Sequence, residues 1–69
     1  MSRDITIKGI KYTLALTCVS AGFQVALAVI NSLGYVNNAY PSVVDVYPTY
    51  GEAVDKYSKI YRYQTGKRL

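Results

Sequence analysis

The sequence has no histidine and no tryptophan, a single cysteine at Cys18, two prolines, and four acidic residues among its 69. One cysteine cannot close an internal disulfide, and without histidine a Cys/His zinc site has no ligand set. Four acids with no histidine base and no phosphate-cradling glycine loop leave nothing to place in catalytic roles, so the chain reads as a non-enzyme that calls for no cofactor, metal or small-molecule substrate. Charge of either sign is scarce: 17% of residues are charged, against about 25% in ordinary soluble domains. By contrast, 51% are hydrophobic and the mean hydropathy is +0.08. Such a chain is too apolar for a disordered tail, and at 7.7 kDa it holds one small unit at most.

The position of the few charges matters more than their number. Arg3, Asp4, Lys8 and Lys11 precede Tyr12, the next acid is Asp45, and residues 12–44 carry no formal charge. The net charge of +4 divides into 3 − 1 = +2 over residues 1–11 and 5 − 3 = +2 over residues 45–69. No basic block forms, so the cations read as a solvated rim and no nucleic-acid partner is expected.

Residues 12–34, YTLALTCVSAGFQVALAVINSLG, would reach about 34 Å as a helix, against a hydrocarbon core of about 30 Å. Tyr12 and Tyr35 bracket the stretch as an aromatic belt would, and Lys8 and Lys11 can snorkel from its start. The resulting prediction is an all-α protein. It has a basic flank (1–11), one transmembrane helix (12–34), a proline-broken connector (35–49), a short amphipathic helix (50–66) and a basic tail (67–69). Arg3, Lys8 and Lys11 before the span, with no cation after it until Lys56, place the N-terminus on the cytoplasmic or matrix side of a single-pass membrane protein. A signal peptide ending at Ala26-Leu27-Ala28, or a prepilin cut after Lys8-Gly9, fits less well; retention of the span is expected.

Winding residues 12–34 at about 100° per residue gathers Thr13, Thr17, Ser20, Gln24 and Asn31 into a polar stripe. Cys18, Gly22 and Ala26 form a small-residue groove opposite, and Leu16, Val19, Phe23, Leu27 and Ile30 a lipid face. Stripe and groove are the expected helix-partner interface, with Gln24 its centre, because a mid-span amide cannot satisfy itself by local back-bonding as a hydroxyl can. Cys18 reads as a packing thiol in the groove.

After Pro48, Thr49 with Glu52 three residues later makes a capping box, the pairs Glu52–Lys56 and Asp55–Lys59 are correctly ordered, and Gly66 is a stop. Tyr50, Val54, Tyr57, Ile60 and Tyr61 recur at helical spacing. They form a tyrosine-rich face suited to a wet protein interface.

With its basic start, single span and broken connector, and above all the stretch VYPTYGEAVDKYSKIYRYQTGK, the chain resembles the small single-span supernumerary subunits of mitochondrial respiratory-chain complexes. That resemblance implies a non-catalytic accessory subunit in the mitochondrial inner membrane. Such a subunit would pack against larger membrane-protein subunits and lipids at the edge of a complex and support its assembly. The alternative is a self-assembling structural protein, such as a small viral membrane or capsid component or a pilin-like filament subunit. A peptide regulator of one pump or transporter would use the same faces.

Overall fold

The computed structural model describes residues 1–37 and 41–67; residues 38–40 of the expected connector and 68–69 of the expected tail lie outside them. The chain forms β1 (Ser2–Ile7), β2 (Ile10–Val19), β3 (Gly22–Val29), β4 (Val43–Tyr47) and then α1 (Tyr50–Thr65). The strands make one antiparallel meander in the order β1-β2-β3-β4, with α1 laid across one face. The all-α prediction is thereby corrected, and the membrane span with it. Residues 12–34 are two strands and the turns beside them, and no helix among the described residues is long and apolar enough to cross a membrane. The single-pass placement and the inner-membrane location fall with that helix.

The hydropathy of residues 12–34 conceals a period of two. Tyr12, Leu14 and Leu16 face α1, while Thr13, Ala15 and Thr17 face the other way; Phe23, Val25, Leu27 and Val29 face α1, while Gln24, Ala26 and Ala28 do not. Alanine and threonine on the outer face keep the stretch uncharged without making it a membrane helix. The register shows how the faces align: Leu14 lies opposite Leu27, Leu16 opposite Val25 and Thr17 opposite Gln24.

Two tight reversals enforce this register. Between Ile7 and Ile10, Lys8 (φ 51°) and Gly9 (φ 83°) both take positive φ, the backbone of a type I′ hairpin turn whose twist matches that of the strands. Between Val19 and Gly22 only Ser20 and Ala21 intervene. The longer link from β3 to β4 is organised by Asn31, whose side-chain oxygen accepts from the Leu33 and Tyr35 amides at 2.9 and 3.0 Å.

Helix α1 starts at Thr49, an extended residue whose hydroxyl accepts from the Glu52 amide at 3.3 Å and donates to the Glu52 carboxylate at 3.1 Å. It ends at Gly66, left-handed at φ 71°, whose amide bonds to the Arg62 carbonyl. Thr49→Ala is expected to cost about 1 kcal/mol, read as a lower urea midpoint at unchanged slope. The core lies between this helix and the sheet: Ile5, Leu14, Leu16, Val25 and Leu27 from the strands meet Ala53 and Tyr57 from α1.

Candidate functional site

The residues of the expected helix-partner interface are distributed by the sheet rather than gathered on a helix. Thr13, Thr17, Gln24 and Ala26 do share one surface, the sheet face away from α1, because residues opposite one another across an antiparallel pair point the same way. There Thr13 donates to Asp4 at 2.8 Å, and Gln24 sits across from Thr17 on one side and Val46 on the other. Ser20 is in the β2–β3 turn, Asn31 is in the β3–β4 link, and Gly22 opens β3 under the backbone of Tyr47. Cys18 is exposed near the end of β2, not a packed thiol in a helix groove. Gln24 lies in strand β3, so the interhelical contact expected of it falls with the transmembrane helix.

The tyrosine-rich face of α1 packs mainly on the chain's own sheet. Tyr57 is fully buried, and Val54, Ile60 and Tyr61 are half-buried against the core. Tyr50 stays exposed with its ring edge-on to Phe23 at 5.6 Å. Among the described residues the Tyr57 hydroxyl has no hydrogen-bond partner; burial pushes its pKa up, and the Arg3 guanidinium opposes that shift.

The surface with the features of a binding site lies beside these residues, along β4. This strand pairs with β3 on one side, and its other side carries no strand among the described residues. Its side chains alternate: Val43, Asp45 and Tyr47 share the face of α1, being opposite Leu27, Val25 and Phe23, while Val44 and Val46 point to the open face and are 48% and 47% exposed. Next to the Val43 end a groove of about 500 Å³ runs between the strand and the second half of α1. Leu27, Val43, Ile60 and Tyr63 supply its apolar surface, and the stems of Lys56 and Lys59 border it.

Asp45 is the unusual residue of this edge. It lies on the helix side of the sheet and is exposed, on a strand that is otherwise Val-Val and Val-Tyr. A charge on an edge strand discourages indiscriminate pairing with other sheets. Tyr47, two residues on, has its pKa raised, by burial first and by the Asp45 carboxylate second. The opposite edge has a counterpart: Arg3 of β1 is aligned with Leu14 on the helix side, its guanidinium 5.3 Å from the centroid of the Tyr61 ring. Among the described residues no three His, Cys, Asp or Glu side chains gather in one place.

The edge strand with its flanking groove was missed in the sequence. Residues 43–47 fell within the expected connector (35–49), and the run of β-branched and aromatic residues in VVDVY was the available signal for a strand.

These features define a small sheet-and-helix protein with one helix-covered face and, among the described residues, two sheet edges that carry no further strand. Comparison with protein-family models, curated proteins and solved structures finds no match to this chain.

Proposed function

We propose that this chain is a non-catalytic interaction protein, an accessory or structural component that holds its partner by adding an extended segment of that partner to β4. The observation that carries this reading is the juxtaposition of an unpaired strand edge with an apolar groove between that strand and a helix. Strand addition of this kind draws its affinity from main-chain hydrogen bonds and its selectivity from pockets that take alternate side chains. The edge states what a fitting segment carries: an apolar side chain facing Val43, where it can enter the groove against Ile60 and Tyr63, and a cation facing Asp45. An accessory subunit of a hetero-complex and a self-assembling component would both use such an edge, and they differ only in whose segment fills it.

The test is selection of extended peptides from a displayed random library, followed by amide mapping on the protein. Peptides that bind should shift the amides of β4 and of the Ile60 to Gln64 turn of α1. Val43→Lys, which places a charge at the groove, should weaken them about tenfold or more, whereas Val44→Lys on the other face of the same strand should change affinity by no more than about twofold. Equal losses from the two substitutions, or selected peptides that leave β4 unshifted, would remove the support for strand addition.

A further inference from the structure

The chain itself contains a segment with the side chains that the β4 edge asks for. We infer that the occupant of this edge is β1 of a second copy, paired antiparallel, so that copies join head to tail in one continuing sheet; the inference rests on the strand-acceptor reading of β4.

The topology permits this without rearrangement. In a four-strand antiparallel meander the first and last strands run in opposite directions. A copy moved along the sheet therefore presents β1 antiparallel to β4, with both helices on the same face. Like β4, β1 has no strand on its outer side among the described residues.

The side chains then select a register. Arg3, Ile5 and Ile7 lie on the helix side of β1, as Val43, Asp45 and Tyr47 do on β4. With Arg3 opposite Asp45, Ile5 falls opposite Val43, at the groove formed with Leu27, Ile60 and Tyr63. Registers that keep the faces aligned differ by two residues, and those on either side of this one put Ile5 or Met1 against Asp45 instead. The ion pair exists in one register only.

Pairing of identical edges is disfavoured by the same charges. Two β4 strands in full overlap place Asp45 opposite Asp45. Two β1 strands with aligned faces never bring Arg3 opposite Asp4, because those two residues point to opposite faces. Head-to-tail contact is thus the edge pairing that neutralises Arg3 and Asp45 together.

Both groups are available for it. Asp55 pairs with Lys59 at 2.9 Å, whereas Asp45 has the Tyr47 hydroxyl beside it but makes no ion pair among the described residues. Arg3 lies over the Tyr61 ring and beside Tyr57, and a guanidinium with five N–H donors has others to offer a carboxylate. A head-to-tail contact that does not close on itself grows into an open series rather than stopping at a dimer.

The experiment is sedimentation velocity of the full chain from micromolar to millimolar concentration, for the parent, Arg3→Asp and Asp45→Arg, with circular dichroism confirming that each is folded. The parent should show a concentration-dependent series beyond dimer. Each variant alone sets like charges against one another and should need roughly tenfold more protein to associate. An equimolar mixture of the two restores opposite charges at every junction and should recover parental assembly. Hydrogen exchange should show protection of the Val44 and Val46 amides that grows with assembly. A parent that stays monomeric, one that stops at a closed dimer, or a mixture that associates no better than its components overturns the inference. Should the chain stay monomeric while a selected peptide protects β4, strand acceptance stands and only the self-pairing falls. Copies that associate while β4 amides exchange as in the monomer overturn both.

Discussion

Gly22→Ala is expected to abolish cooperative folding or to lower stability by about 4 kcal/mol or more, an effect out of proportion to one methyl group. Gly22 opens β3 at φ 138°, a region that L side chains rarely adopt, and a Cβ built there overlaps the carbonyl oxygen of Tyr47. The obstacle is backbone at the end of β4, so it cannot rotate away as a side chain would. Relief requires parting β3 from β4 or twisting the chain at Gly22, and either change disturbs the Phe23–Tyr47 pairing from which the β4 edge begins. A domain of this size has a total stability of roughly 3 to 10 kcal/mol, so a loss of that size leaves little folded protein at 25 °C. Gly9→Ala is the control. Gly9 also has positive φ, at 83°, but a Cβ there meets nothing within 4 Å, so only backbone strain of about 1 kcal/mol is expected. Urea titrations of both variants decide the matter: similar midpoints for the two would show that close approach of Tyr47 is not what requires glycine at position 22.

Tyr57→Phe is expected to stabilise the protein by about 1 to 2 kcal/mol, while Tyr57→Ala at the same position should cost about 3 to 5 kcal/mol. The two results separate the ring from the hydroxyl. The ring is fully buried between α1 and the sheet with Leu14 and Val25, and its removal leaves a cavity at the centre of the core. Among the described residues the hydroxyl makes no hydrogen bond, and the nearby Arg3 guanidinium offsets only part of the cost of taking it out of water. For a chain of this length each kcal/mol moves the melting temperature by about 4–8 °C, so the phenylalanine variant should melt visibly later than the parent. A lower melting temperature for that variant would mean that the hydroxyl is bonded in solution.

Alkaline pH offers a second readout of the same residue. Burial raises the Tyr57 pKa above its ordinary value of 10.0, more than the opposing Arg3 charge lowers it. The folded state therefore holds this proton more tightly than the unfolded state. Its contribution to stability is constant below about pH 10 and is lost as pH rises from there through the folded pKa. The parent should lose stability above pH 10 more steeply than Tyr57→Phe.

Some of this structure was legible in the residues. Thr49, Glu52 and Gly66 mark the ends of α1 because capping is local chemistry: a hydroxyl within reach of a free amide, and a residue that tolerates left-handed φ. The spacing of Tyr50, Val54, Tyr57, Ile60 and Tyr61 marks an apolar helix face for the same reason. What that face covers was not legible, since a buried ring beside a partner protein and one beside the chain's own sheet present the same spacing. Thr13 and Thr17 came together on one surface for a reason that does not distinguish folds. Residues four apart share a side in a helix and also in a strand, so the polar stripe was compatible with both.

The chain's composition determined that apolar residues of the neutral stretch, Leu14, Leu16, Val25 and Leu27 among them, would leave water, and that α1 would begin at Thr49, because both follow from solvation and short-range hydrogen bonding. Only the tertiary structure decided that the neutral segment folds back on itself. Lys8-Gly9 and Ser20-Ala21 each reverse the chain, and α1 covers the face on which the strands they join gather their apolar side chains. The placement of Arg3 and Asp45 on opposite edges of one sheet, matched in face and opposite in sign, is likewise a product of strand order. No local rule relates residues 42 positions apart, and antiparallel pairing through two intervening strands does.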